Sequence, residues 1–288
     1  MPHDHHHDHN TGNEHRALIA AALTGSFMLV EVVAGFLTGS LALIADAAHM
    51  MADSGALILA WLAFRIARRP ADARRTFGWG RFQVLAAFAN GIALILLTLW
   101  IVGEAIGRIG AAPEIDGGPM GVVAVIGLIV NLVAFAVLHG GDRENLNMRG
   151  ALLHVAGDIL GSIAAIIAAV VILTTGWTPI DPILSVLIAM LLLKAASGLV
   201  IQSGRILLEA TPDHVDRDAI AADLAEHTPG VVRIHHMHIW AIAPGRTVAT
   251  LHAVLEAAVC EQTAAAALRR RLAGHHGVGH VTIEVERA

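Results

Sequence analysis

The chain has 288 residues, 56% of them hydrophobic and 15% charged, with a mean hydropathy of +0.65, which excludes an ordinary soluble domain of this length. A net charge of -5 with no basic stripe excludes a nucleic-acid partner. One cysteine, Cys260, excludes an intramolecular disulfide framework and a thiolate-zinc motif, whereas 18 histidines, nearly matching the 19 Lys and Arg combined, make imidazole the abundant metal-binding group.

Residues 1–15 form a His-rich tail. Met1–Asn10 has no apolar core behind a basic region, so it is not a secretory signal. It reads as a disordered polar tail whose imidazoles suit weak zinc collection. Six apolar spans follow over residues 16–208. Phe82–Gly103 and Gly117–Leu138 are uncharged and reach the ~20 residues a helix needs to cross ~30 Å of hydrocarbon. Ala17–Thr38, Leu41–Phe64, Gly150–Thr175 and Pro182–Gly204 are apolar but carry isolated polar groups, Glu31, His49 with Asp53, His154 with Asp158, and Lys194. Glu31 and Lys194 each either line a polar cavity or contact a neighbouring helix, and Glu104 with Arg108 makes an i,i+4 pair.

The connection after the second span carries Arg65, Arg68, Arg69, Arg74, Arg75 and Arg81, while Ile109–Pro119 and Gly176–Asp181 carry no Lys or Arg. The Arg-rich side is cytoplasmic by the positive-inside rule. Arg16, Arg143, Arg149 and Arg205 fall on that side too, and an even number of spans places both termini in the cytoplasm.

Residues 209–288 read as a small α+β domain: a helix opening at Thr211-Pro212-Asp213 and ending near His227, strands Val231–Ile242 and Thr247–Glu256 across Pro244-Gly245-Arg246, a helix Glu261–Ala273, and a strand His280–Glu286. That order permits one sheet with two helices on one face. On the first strand, strict alternation groups His236 with His238 and turns His235 away. His275, His276 and His280 are assigned to loops.

The functional signal lies in the second and fifth spans. His49 and Asp53 are four apart, as are His154 and Asp158; helical geometry brings each pair to one face, about a turn apart. Ionisable groups cost several kcal/mol inside a bilayer unless partnered or hydrated, so a repeated His-x-x-x-Asp points to one shared site rather than two isolated hydrogen bonds. Two imidazoles and two carboxylates satisfy the tetrahedral preference of Zn²⁺ and neutralise its charge. The same donors admit cadmium, cobalt, nickel and iron, but suit Ca²⁺ and Mg²⁺ poorly. Asp46 is read as a helix-start carboxylate. Because metal competes with protons for these ligands, and no G-x-x-x-x-G-K-[ST] is present for nucleotide-driven transport, the spacing predicts Zn²⁺/H⁺ antiport by alternating access. An intramembrane metal enzyme would need a motif such as H-E-x-x-H, which is absent. A metal-gated channel is the other rival, and the sequence pattern does not separate it from an antiporter.

The blocks GSLALIADAAHMMAD (Gly39–Asp53), RTFGWGRFQVLAAFANG (Arg75–Gly91), LNMRGALLHVAGDILGS (Leu146–Ser162), IDPILSVLIA (Ile180–Ala189), LLEATP (Leu207–Pro212) and HHMHIW (His235–Trp240) resemble the cation diffusion facilitator family in order and over nearly the whole length. The resemblance implies a polytopic α-helical membrane protein with six transmembrane helices and a ferredoxin-like, metallochaperone-like cytoplasmic C-terminal domain. It also implies a homodimer in a bacterial inner membrane, with zinc exported against proton entry. Zinc is then substrate and regulatory ion, with no further cofactor. His49, Asp53, His154 and Asp158 become the transport ligands, His at the first position being the pattern associated with zinc over cadmium. A loop site common among relatives is absent, since Ala67–Thr76 holds Asp72 but no His. A regulatory site in the terminal domain matches His235, His252 and Glu286, with Glu284 beside them where some relatives have His, which favours a single ion.

Overall fold

A computed structural model describes residues 6–38, 41–109, 117–142 and 144–288, without the side chains of 6–11, 31, 34–38, 41–49, 52, 53, 104, 108, 109 and 117–120. Six long helices come first: α1 (His6–Thr38), α2 (Leu41–Ala67), α3 (Arg81–Ile109), α4 (Gly117–His139), α5 (Leu146–Thr175) and α6 (Ile180–Leu207). Each overlaps one of the six expected spans. Among the described residues, four stretches are long and apolar enough to cross a membrane, Arg81–Gly107, Gly121–His139, Leu146–Thr175 and Ile180–Leu207, and Ser54–Ala67 is a shorter apolar helix segment. Arg143 and the connection 110–116 lie outside the described residues, as do the side chains of Glu31, Asp46, Glu104 and Arg108.

The membrane unit is built as lipid demands. Its interior cluster is dominated by alanines, Ala17, Ala20, Ala21, Ala60, Ala134 and Ala151, around Leu57, Phe64, Leu138, Met148 and Val155. Larger side chains such as Leu96, Trp100, Ile129, Leu173 and Ile201 are exposed on the outside. With hydrocarbon as solvent there is no gain from hiding large apolar groups, and small residues let helices approach. Gly91 of α3 shows this sharply: a Cβ there would lie 2.7 Å from Val200 Cγ2 of α6.

One end of the bundle is tied by polar groups. Arg68, after α2, pairs with Glu14 near the start of α1. Arg16 Nη1 of α1 donates to the Val137 carbonyl of α4 at 2.8 Å, and Asn13 Oδ1 accepts from the Asp142 N–H at 3.0 Å. Helix α1 therefore begins well before the predicted span start at Ala17, and Asn13 and Glu14 are buried. The part of the predicted disordered tail from His6 to His15 is helical instead, and residues 13, 14 and 16 find partners after α4, after α2 and on α4. The tail's first five residues lie outside the described residues.

The chain divides into two compact units, the second starting at Gln202 within α6. It contains α7 (Arg217–His227), β1 (Val231–Ala243), β2 (Arg246–Leu255), α8 (Glu261–His276) and β3 (Val278–Arg287). Helix α7 starts later than Thr211-Pro212-Asp213 suggested, since Asp216 is the N-cap, its carboxylate accepting from the N–H groups of Asp218 and Ala219. The sheet order is β1-β2-β3, with β1 and β2 antiparallel and β2 and β3 parallel. Both helices contribute to one apolar core, Ile220 and Leu224 from α7 and Leu268 and Leu272 from α8, against Ile234, Met237, Leu251 and Ala253 of the sheet. Asp223 of α7 clips to α8 through Arg271 at 2.5 and 2.6 Å and His276 Nε2 at 2.8 Å. Hydrogen bonds from Arg271 and then His276 hold the Asp223 carboxyl far below the usual carboxylate range. The loop assignment of His276 and His275 is thus corrected to the last turn of α8, and that of His280 to β3.

Candidate metal sites

The direction of each membrane helix follows from the tied end. The start of α1, the end of α4 and Arg68 just after α2 meet there, and α5 begins a few residues after α4. Helix α2 therefore runs toward that end and α5 away from it. Close to it the two are joined directly, Asn147 Nδ2 of α5 donating to the Ala60 carbonyl of α2 at 2.8 Å. Asp53 lies seven residues before Ala60 and His154 seven after Asn147; His49 lies eleven before and Asp158 eleven after. At 1.5 Å per residue, position 53 stands about 10.5 Å from the join on α2 and position 154 the same distance on α5, with 49 and 158 both at about 16.5 Å. Seven and eleven residues are about two and three turns, so all four positions lie on the faces that carry the join. The His154 side chain is 5% exposed and Asp158 is partly buried. The side chains of His49 and Asp53 lie outside the described residues, which place these two by backbone alone on α2.

The first turn of α5 is built for this placement. Asn145 caps it, its Oδ1 accepting from the N–H groups of Asn147 and Met148, while its Nδ2 donates to Gln83 Oε1 of α3 at 2.8 Å. Asn145, Asn147 and Gln83 are all buried. None was singled out by sequence reading, although an Asn two residues ahead of another at the start of an apolar run is an N-cap signal.

In the loop after α2, Asp72 is occupied by the turn itself. Its carboxylate accepts from the N–H groups of Arg74 and Arg75, both at 2.8 Å, and from Arg75 Nη1 at 3.2 Å. Those bonds hold its carboxyl below the ordinary value.

On the C-terminal sheet, His235 of β1 sits opposite His252 of β2, and His252 opposite Glu284 of β3. Glu286 brings the set together: its Oε2 is 3.1 Å from His235 Nε2 and its Oε1 2.9 Å from His252 Nδ1. One donor atom from each of His235, His252 and Glu286 lies within 4.8 Å of the others, the only such group of three among the described residues. Glu284 Oε2 stands 3.4 Å from His252 Nε2. The His252 and then the His235 contacts hold the Glu286 carboxyl below its ordinary value, so it is a carboxylate ready to meet a cation.

Strict alternation misplaced one residue of this surface. Between the pairs His235/His252 and His238/Thr250, β1 has two residues and β2 one, a β-bulge. His236 there adopts φ 49°, the left-handed region that non-glycine residues seldom enter. The core face accordingly reads Ile234, Met237, Ile239, and His235, His236 and His238 share the other face. The His236 ring lies 4.8 Å from that of His252 and 5.2 Å from that of His238.

Residues 17–208 match the cation efflux transmembrane domain and residues 212–288 the cation efflux protein cytoplasmic domain. The chain belongs to the cation efflux family. It is 44% identical to the zinc transporter ZitB of Escherichia coli, over 99% of this chain and 93% of the relative. It is 44% identical to the metal cation efflux system protein CzcD of Cupriavidus metallidurans, over 99% and 90%. A third relative, 42% identical over 99% and 92%, is the cadmium, cobalt and zinc/H(+)-K(+) antiporter of Bacillus velezensis. Among solved structures, the metal-bound C-terminal domain of the CzcD transporter is similar at 34% identity and a TM-score of 0.23, covering 25% of this chain and 99% of that one.

Proposed function

We propose that this cation efflux protein exports Zn²⁺ from the cytoplasm in exchange for protons, with His49, Asp53, His154 and Asp158 as the transport ligands. The observation that supports the reading is the bond between Asn147 of α5 and the Ala60 carbonyl of α2, a register in which the two His-x-x-x-Asp sets count to matching levels on antiparallel helices. In that register each level combines a carboxylate from one helix with an imidazole from the other. The names of the relatives, zinc transporter and zinc/H(+)-K(+) antiporter, support the choice of ion and counter-ion. Each ligand must shed or exclude a proton to hold metal, which couples the two fluxes without further machinery. Cadmium, cobalt and iron are secondary substrates of the same donor set.

The second half of the proposal concerns the C-terminal unit. His235, His252 and Glu286 hold one regulatory zinc in a cytoplasmic domain, and the protein is a homodimer in a bacterial inner membrane with both termini cytoplasmic. Zinc that binds the folded domain stabilises it by mass action. On this reading residues 1–15 are a cytoplasmic tail, 16–208 the transmembrane domain and 209–288 the regulatory domain.

The test is uphill transport. Purified protein in proteoliposomes, supplied only with a pH difference, accumulates zinc against its gradient if it is an antiporter. Dissipation of the zinc gradient alone, with no uphill phase, would assign a channel. Retention of transport by both Asp53→Ala and Asp158→Ala would remove the ligand set.

A further inference from the structure

The strongest inference beyond the ligand set concerns the residue that aligns it. We propose that Asn147 is a positioning residue for metal transport: its side-chain amide, bonded to the Ala60 carbonyl, sets the axial register of α5 against α2 and so brings the levels of Asp53 with His154 and of His49 with Asp158 into coincidence. The inference rests on the four-ligand reading, and adds a residue that touches no metal.

Three observations carry it. First, the bond is a direct polar link between α2 and α5, and both partners are shut away, Asn147 at 2% and Ala60 at 2% exposure. Second, the neighbours of the bond are apolar: Ala60, Ala151, Leu57, Met148 and Val155 belong to one buried cluster. Apolar burial is non-directional, whereas the strength of a hydrogen bond falls steeply with length and angle, so the bond favours one register. Third, Asn147 is itself fixed from behind. Its backbone N–H bonds to Asn145 Oδ1, and Asn145 is anchored to Gln83 of α3. The amide therefore reaches α2 from a braced first turn instead of a frayed helix end.

The geometry also says why the lever is effective. Metal coordination tolerates errors of ~0.2 Å, whereas a slip of one residue moves a ligand by about 1.5 Å along the axis and about 100° around it. Loss of the link leaves the helices packed but lets their levels drift apart. Zinc binding then requires realignment each time, which lowers affinity without removing a ligand.

The experiment compares wild type with Asn147→Ala, Asn147→Leu and Asn147→Gln in proteoliposomes, using zinc alone as probe and Asp53→Ala as the control for the ligand set. Leu matches Asn in bulk without the donor, and Gln keeps the donor on a longer stem. We expect the half-saturating zinc concentration to rise about tenfold in the Ala and Leu variants, the scale seen when groups supporting metal ligands are lost. The maximal rate should stay within about threefold, and Gln should recover at least half of the lost affinity. Wild-type half-saturation in either Ala or Leu overturns the inference, as does equal behaviour of Leu and Gln. Failure of both donor-less variants to accumulate while Gln accumulates assigns Asn147 to folding alone and also overturns it. Should Asp53→Ala transport normally, the ligand reading itself is wrong, an outcome distinct from any result at position 147.

Discussion

The C-terminal sheet brings imidazoles and a carboxylate together, and the proposed transport set on α2 and α5 calls for the same donors, yet the two depend on different means. On the helices, each His-x-x-x-Asp is an intrahelical pair, so local periodicity already places both members on one face. On the sheet, no two of His235, His252 and Glu286 are neighbours along the chain; they meet through an antiparallel pairing and a parallel one. A helical site needs only two elements in register. A sheet site needs three strands in register, and one added residue reverses which side chains share its face. On the proposed assignments the helical set tolerates local variation but is sensitive to the axial register of α2 and α5, while the sheet set depends on the register of three strands.

The largest expected effect tests the helical half. Asp53→Ala or Asp158→Ala should lower zinc transport by about 100-fold or more, since each removes a ligand and a countercharge from the proposed site. Zinc binding by the sheet site should persist in both, measured as equilibrium zinc binding in detergent.

The reverse experiment sharpens the contrast. His252→Ala should remove zinc binding at the sheet, because His252 stands between Glu286 and Glu284, but reduce transport by no more than about tenfold, the loss of a regulatory coupling of about 1.4 kcal/mol. Measured in the Asp53→Ala background, zinc binding should fall to the background level. Transport as low as in Asp53→Ala would place the sheet site on the path of the ion.

A smaller effect concerns selectivity. His49→Asp should raise the ratio of cadmium to zinc transport severalfold, because it removes one of the two imidazoles that suit the proposed set to zinc, at the position where the family resemblance associates His with zinc over cadmium. The ratio of initial rates in vesicles checks it.

The smallest effect is confined to the fold of the C-terminal unit. Asp223→Asn should lower its melting temperature by a few degrees at neutral pH. The Asp223 carboxyl is held below its ordinary value near 3.8 by Arg271 and His276. Its contribution is therefore present above that pH and fades as the pH falls through the lower folded value. Melting curves of the wild type and the variant should differ at pH 5 to 7 and converge in strong acid.

The sequence by itself determined a great deal of this protein. Six apolar runs, the Arg-rich connection and the paired His-x-x-x-Asp spacing were legible because helix length and the 3.6-residue period are local properties. The α+β order of the last eighty or so residues was legible for the same reason, as turn and cap residues punctuate it. His235, His252 and Glu286 were named only through likeness to a family, since spacing along the chain says nothing of which strands pair. Tertiary structure alone decided the rest. The left-handed His236 turned a strict alternation into a bulge, so that three histidines share one face. At the start of α1, residues 13, 14 and 16 find partners after α4, after α2 and on α4. Asn147, an unremarked polar residue in an apolar run, found the Ala60 carbonyl 87 positions earlier. Each of these is a pairing between residues distant in sequence, and such pairings are set by packing and hydrogen bonding in three dimensions, where the propensities of neighbouring residues carry no information.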